Sequence, residues 1–478
     1  MGVYNNLYVT YDLTGDKTMA EENKIKKNKY EIDMCNGPIL KKMLLFALPL
    51  MASSILQLLF NAADVIVVGN FAGDNSLGAV GSTTSLINLL VNLFIGLSVG
   101  ANVLTARYFG AKQKKDLDET VHTAMALSII SGIVLTIVGI IGAPVILKWM
   151  GTSDELLDLA VIYLRVYFIG MTAMMVYNFG AAILRAMGDT KRPMYFLMLS
   201  GVINVLLNLL FVIVFKMDVA GVALATTISQ CVSAALVVLC LMKADNGIKL
   251  VLKKISIKRE KLIKILQIGL PAGFQGTLFA LANVVIQSSI NSFGKVVVTG
   301  SSAAANIEGF VYVAMNAFHQ AAISFTSQNV GAGKYERVNK ILYTALGCVI
   351  VVGILFGNLA YLFGEPLLNF YTDSPAVIEQ GMIRLAYICT TYALCGIMDV
   401  MVGSLRGLGY SIVPMIVSLL GACVFRIVFL STIFKLAEFH HIETVYMTYP
   451  ISWIMTFAAH VVSFVIIKKR INKRLGYE

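Results

Sequence analysis

Charge is what this chain has least of. Only 14% of its 478 residues are Asp, Glu, Lys or Arg, while 58% are hydrophobic. Soluble domains carry about a quarter charged residues, so a water-soluble fold of this length is excluded. Histidine is scarce, with five copies and no HExxH. His122 and His319 stand alone, and His440 and His441 read as solvated, which argues against an intramembrane metalloenzyme. The seven cysteines contain no CxxC. Six lie in apolar segments and Cys35 precedes them, so reduced thiols are expected rather than disulfides or a metal site. Residues 1–37 lack the apolar core of a signal peptide. They read as a polar, disordered tail, with Met1 and Met19 both plausible starts.

What the chain has instead is apolar runs long enough to cross a bilayer. Twelve are expected, at about 43–68, 77–104, 119–142, 155–183, 192–215, 219–242, 262–290, 297–326, 339–363, 376–404, 412–434 and 445–467. In lipid the backbone must satisfy itself, so these are helices. The expected fold is an all-α membrane protein with twelve transmembrane helices.

The net charge of +11 has an address. Lys24, Lys26, Lys27 and Lys29 precede the first helix. Lys243, Lys249, Lys253, Lys254, Lys258, Arg259, Lys261 and Lys264 fill the middle connection. Lys468, Lys469, Arg470, Lys473 and Arg474 follow the last helix. Twelve spans put all three on one side, and the positive-inside rule makes that side the cytoplasm. The charge marks a membrane orientation and not nucleic-acid binding.

The chain also repeats itself. LRAMGDTKRPM (Leu184 to Met194) returns as LRGLGYSIVPM (Leu405 to Met415), and RYFGAKQKKDL (from Arg107) returns as QNVGAGKYERV (from Gln328), both 221 positions later. Pro49, Pro144 and Pro193 recur as Pro271, Pro366 and Pro414. The expected organisation is a cytoplasmic tail at 1–37, an N-lobe of six helices at 38–242 and a basic connection at 243–261. A six-helix C-lobe at 262–467 and a basic tail at 468–478 follow. Duplicated halves in a membrane point to a transporter with its path between them.

Polar residues at membrane depth are the site candidates. Gln57, Asn61 and Asp64 share one face of the first helix. Ser200, Asn204 and Asn208 recur at intervals of four in the fifth, and Thr226 lies two turns into the sixth. Asp64, Asn204, Asn208 and Thr226 form a candidate oxygen-rich site for a proton or small cation. In the C-lobe, Glu308, Tyr312, Asn316, Gln320 and Ser324 form a ladder suited to a cavity wall, with Asp399 in the tenth helix. Glu308 and Arg426 match in depth and are expected to pair; Arg165 and Arg384 are expected to snorkel outward. Tyr163, Tyr167 and Tyr177 read as packing. Pro49 and Pro271 are candidate hinges. The Gly96/Gly100 and Gly269/Gly273 spacings fit close helix packing.

The segments NGPILKKMLLFALPL (from Asn36), LLFNAADVIVVGNFAG (from Leu58), SQNVGAGKYERV (from Ser327) and the LRAMGDTKRPM/LRGLGYSIVPM pair resemble the bacterial branch of the multidrug and toxic compound extrusion (MATE) transporters. The resemblance covers about residues 36–470. It implies two six-helix lobes around a central cavity and a secondary antiporter exporting organic, often cationic, compounds in exchange for H⁺ or Na⁺. It makes Asp64 the cation-coupling acid, with Asn204 and Thr226 matching family positions. The family's second acid is Asn208 here, and the acid of helix seven is missing, while Asp399 matches one in helix ten. No cofactor is implied beyond the coupling ion, and no metal beyond Na⁺. The implied partners are small organic molecules and the lipid bilayer. A monomer in the inner membrane with both termini cytoplasmic is expected. The alternative is a lipid-linked precursor flippase of similar architecture; its anionic cargo needs several cavity bases, and the sequence offers only Arg426.

Overall fold

The computed structural model describes residues 30–244 and 247–476. Among them the chain is helical almost throughout and has no strand. The N-lobe helices are α1 (Ile39–Phe71), α2 (Asp74–Gly110), α3 (Lys114–Trp149), α4 (Asp154–Ile169), α5 (Met171–Ala186), α6 (Lys191–Asn208) and α7 (Asp218–Met242). The C-lobe has α8 (Arg259–Asn291), α9 (Lys295–Gly331), α10 (Tyr335–Leu362), the short α11 (Gly364–Asn369), α12 (Pro375–Ile388), α13 (Tyr392–Gly407), α14 (Ile412–Ser418), α15 (Phe425–Ser431) and α16 (Ile442–Leu475). A π-helical turn, Leu209–Val214, follows α6, and another, Leu419–Val424, joins α14 to α15.

Ten helical stretches are long and apolar enough to span a membrane, and two bent pairs bring the total to twelve. The protein is a multi-pass, all-α membrane protein with two six-span lobes. The two bends correct the expectation of unbroken helices at 155–183 and 376–404. Between α4 and α5 the axis turns 45° at Gly170; between α12 and α13 it turns 47°. Carbonyls near the first bend find hydroxyls on neighbouring helices: Thr227 Oγ1 donates to Val166 O (3.0 Å) and Thr136 Oγ1 to Phe168 O (2.8 Å). At the second, Thr390 and Thr391 donate back to Ala386 O and Tyr387 O. Polar side chains of this kind let a helix break within the bilayer.

The lobes meet at the face carrying the basic residues. α2 and α8 cross there with almost no space between backbones. A Cβ on Gly96 would lie 2.2 Å from Gly273 N, and one on Gly100 would lie 2.2 Å from Ile265 O. The ends of α2 and α9 exchange a reciprocal contact. A Cβ on Gly110 would strike Gln328 O, and one on Gly331, its repeat counterpart, would strike Arg107 O. Cross-lobe hydrogen bonds cluster at this level: Arg107 Nη2 to Gly407 O (3.2 Å), Gln328 Nε2 to Ala186 O (2.7 Å) and Ser324 Oγ to Asn102 Oδ1 (3.2 Å). Lys261, buried at the start of α8, pairs with Asp116 of α3.

Two expectations about the termini are corrected. Residues 30–37 are not a detached tail. Met34 is fully buried, Asn329 Nδ2 donates to its carbonyl (3.0 Å), and Lys334 Nζ donates to Cys35 O (3.1 Å) and Asn36 Oδ1 (2.6 Å). On the N-lobe side Ile32 lies against Gly188, and Arg192 sits over the Tyr30 ring. The strap therefore touches both lobes, because backbone polar groups of an extended segment find donors there. The disorder expected of residues 1–29 lies outside the described residues. At the other end α16 runs to Leu475, so the basic residues 468–474 belong to a helix and not to a tail.

Candidate functional site

Asp64 stands in the C-terminal half of α1, half-buried against α6 and α7. Asn208 Nδ2 donates to Asp64 Oδ1 and to Asn204 Oδ1 (3.3 Å), and Asn204 Nδ2 donates to Thr226 Oγ1 (3.3 Å). One side chain from α1, two from α6 and one from α7 thus form a single chain of contacts. Asn204 and Asn208 are buried. The spacing of four on α6 puts both amides on the face turned to α1, and Gly201 on that face makes room for the Phe60 ring of α1. Asn208 Oδ1 is buried with no hydrogen-bond donor among the described residues. An acceptor left open in that way costs free energy unless a cation or water fills it. The site therefore offers one carboxylate, two amide oxygens and a hydroxyl, a donor set suited to a proton or a hard monovalent ion. Tyr163 and Tyr167 of α4 stack with their ring centres 5.8 Å apart.

α1 belongs to both lobes. Its C-terminal half packs on α6, while Met43, Phe46, Ala47, Leu50 and Met51 of its N-terminal half lie in the C-lobe core, with Phe46 edge-on to Phe325 of α9 at 5.6 Å. Pro49 falls in the half packed against the C-lobe, and Ser53 Oγ donates to its carbonyl (2.8 Å). α8 does the converse: its first half packs on the N-lobe, with Ile265 in that core and Gly269 and Gly273, on either side of Pro271, against α2, while Ile286 and Ile290 of its second half lie in a C-lobe core.

The comparisons with known proteins agree on one point. The MatE family model matches twice, at residues 49–210 and 271–432, two ranges of equal length that fall on the two halves of the repeat. The chain belongs to the MatE family. This MatE chain is 28% identical over 398 residues to the "Probable multidrug resistance protein YpnP" of Bacillus subtilis, covering 82% of this chain and 88% of that one. It is 25% identical to the "Probable multidrug resistance protein NorM" of Thermotoga maritima, covering 80% and 82%. Its fold matches a solved structure described as the outward-facing conformation of a multidrug resistance MATE family transporter. The TM-score is 0.85 at 24% identity, over 94% of this chain and 99% of that one. Like its family, the MatE chain is a transporter and not an enzyme. One hydrolase-like spelling, Gly96-Leu97-Ser98-Val99-Gly100, sits mid-helix in α2. Ser98 Oγ donates to Ile95 O (2.7 Å) and the glycines seat α8, so it is a packing stripe.

The remaining candidates fall into three groups. Gln57 and Asn61 are exposed on α1 beside Asp64 and make no hydrogen bond to it among the described residues. Tyr312 is 38% exposed, and Asn316, Gln320 and Asp399 are half-buried, with Tyr312 and Arg406 flanking the Asp399 carboxylate. Glu308 is sealed, which corrects its place on a cavity wall and its expected pairing with Arg426. Its carboxylate takes two hydrogen bonds from Arg384, from Nε at 2.7 Å and Nη2 at 2.9 Å. Arg384 does not snorkel. The bend after α12 holds it inside the lobe, where Nη1 also reaches Ser301 Oγ (2.7 Å). The pair is a forked guanidinium–carboxylate contact, the geometry in which two parallel N–H donors meet both carboxylate oxygens.

Proposed function

We propose that this protein exports small organic compounds across the cytoplasmic membrane, in exchange for H⁺ or Na⁺ taken up at Asp64, Asn204, Asn208 and Thr226. The positive-inside rule makes the basic face cytoplasmic. The conformation described here, with that face closed by glycine contacts and the strap, is then the outward-open one. The observation that carries the reading is the double allegiance of α1. The helix that holds Asp64 against the N-lobe also carries Phe46 into the C-lobe core. Loading or emptying the ion site changes whether Asp64 holds Asn208, and α1 transmits that change to the interface between lobes. Pro49 and Pro271 are the points where the two shared helices can bend, because proline removes a backbone hydrogen bond from each.

Dye efflux from proteoliposomes under separate Na⁺ and H⁺ gradients tests this. Asp64→Asn is expected to abolish gradient-driven efflux while the protein stays folded. Asn208→Asp is expected to change the ion dependence, since it adds a second acid. Full efflux by folded Asp64→Asn protein would sink the mechanism.

A further inference from the structure

With Glu308 committed to Arg384, and Asp399 flanked by Tyr312 and Arg406, the other basic residue of the C-lobe interior is left without an anion. Arg426 is 6% exposed, and no carboxylate oxygen comes within salt-bridge distance of it among the described residues. Its one hydrogen bond there runs from Nε to Ser452 Oγ (2.8 Å). What surrounds the guanidinium instead is aromatic: its central carbon lies 4.1 Å from the Tyr449 ring centre and 5.7 Å from that of Trp453. The ring contacts continue. Trp453 lies 5.5 Å from Tyr392, and Tyr392 lies 6.5 Å from Tyr312, which is 38% exposed. A run of aromatic contacts thus links an exposed tyrosine to a buried cation that has four of its five N–H groups uncommitted among the described residues.

Arg426 lies in α15, which follows directly on the π-helical turn Leu419–Val424, and π turns of this kind recur at functional sites.

We propose that Arg426, with Tyr449, Trp453 and Tyr392, is a receptor for the anionic group of an aromatic substrate. The chemistry is one oxyanion, such as a carboxylate, on a planar ring. The guanidinium fork takes the oxyanion, and the rings stack on the aromatic body. An unpaired buried cation is costly by itself, and an arriving anion relieves that cost. The inference rests on the export reading only in making this ligand cargo.

The chain has two tryptophans, Trp149, which is 84% exposed, and Trp453. Trp149→Phe therefore leaves Trp453, a ring of the proposed site itself, as the sole indole. In purified full-length Trp149→Phe protein without any ion gradient, 4-nitrobenzoate, 4-nitrobenzyl alcohol and 4-nitrobenzylammonium are compared as quenchers. The anion is expected to quench saturably, with about tenfold or greater preference over the other two. Arg426→Gln is expected to erase that preference, and Arg426→Lys to keep part of it. Equal quenching by the three probes in the Arg426 protein overturns the proposal without any substitution at 426, so a folding failure of Arg426→Gln does not shelter it. A preference that survives Arg426→Gln overturns it too. Because no gradient is used, Asp64→Asn protein should show the same preference. Loss of the export reading and loss of this one are therefore separable.

Discussion

A single methyl group on α2 should pry the basic face open. The Cβ of Gly96→Ala would sit 2.2 Å from Gly273 N and 2.3 Å from Gly273 Cα, both backbone atoms that no rotamer change can move. Comfortable contact between such atoms is about 3.5–4.0 Å, so α2 and α8 must part by more than about 1 Å at this level. Overpacking of this kind costs about 1–3 kcal/mol. The cost applies only to the conformation in which the helices touch. It should therefore shift the ratio of closed to open basic face by roughly 5- to 150-fold. Gly100→Ala meets Ile265 O at 2.2 Å and should behave alike. Gly81→Ala, on the same helix but with nothing within 4 Å, is the control for the change in helix propensity. Electron–electron resonance between spin labels at positions 114 and 340, both exposed at this face, reads the separation in an otherwise cysteine-free background. The expected result is a longer-distance population in Gly96→Ala and Gly100→Ala, with slowed turnover, and none in Gly81→Ala. Unchanged distances and wild-type efflux in both variants would refute the argument that these glycines hold the closed face.

Three further outcomes are expected. Glu308→Ala and Arg384→Ala should each lower stability by about 3–5 kcal/mol, because each strands a buried charge, and the double variant should be less damaged than their sum; thermal unfolding in detergent checks this. Burial pushes the Asp33 carboxyl up, but the Asn36 amide, the Lys42 ammonium and the Cys35 and Asn36 N–H groups hold it below its ordinary value. Its support of the strap is therefore complete above the ordinary carboxylate range and lost as pH falls through the lower folded value, so hydrogen exchange at residues 33–37 should quicken only below about pH 4. Pro49→Ala combined with Pro271→Ala should slow efflux more than it weakens substrate binding, which single-turnover and binding assays separate.

The span pattern, the duplication and the polar ladder of α6 were legible because they depend on composition and period alone. Asp64, Asn204, Asn208 and Thr226 could be grouped by counting depth along straight helices, and the structure brings those four together. The same counting failed in the C-lobe. Arg384 looked peripheral because a straight helix would place it near an outer end. The 47° bend after α12 and the partner Glu308 instead hold it inside, and neither is encoded in apolar period. The packing of residues 30–37 escaped for a different reason. A polar, low-hydrophobicity segment reads as disordered, yet Met34 and a few backbone carbonyls meeting Asn329, Lys334 and Arg337 are enough to seat it. Those donors lie 295 or more residues away in sequence.

The two lobes share a backbone plan and differ in the charge they leave unpaired. Among the described residues, the charge in the N-lobe site is the Asp64 carboxylate, reached by the Asn208 amide, and in the C-lobe interior it is the Arg426 guanidinium, reached by a hydroxyl and two rings. A symmetric pair of ion sites would give a transporter two equivalent ways to respond to one gradient. On the reading proposed here, opposite charges would give the lobes different ligands, so that a cation at Asp64 and an anionic group at Arg426 would not compete for the same space. Both sites adjoin helices shared across the interface, α1 at Asp64 and α8 beside α15. Occupancy of either one can then bias the same lobe movement, which is the physical requirement for coupling two ligands through a single conformational change.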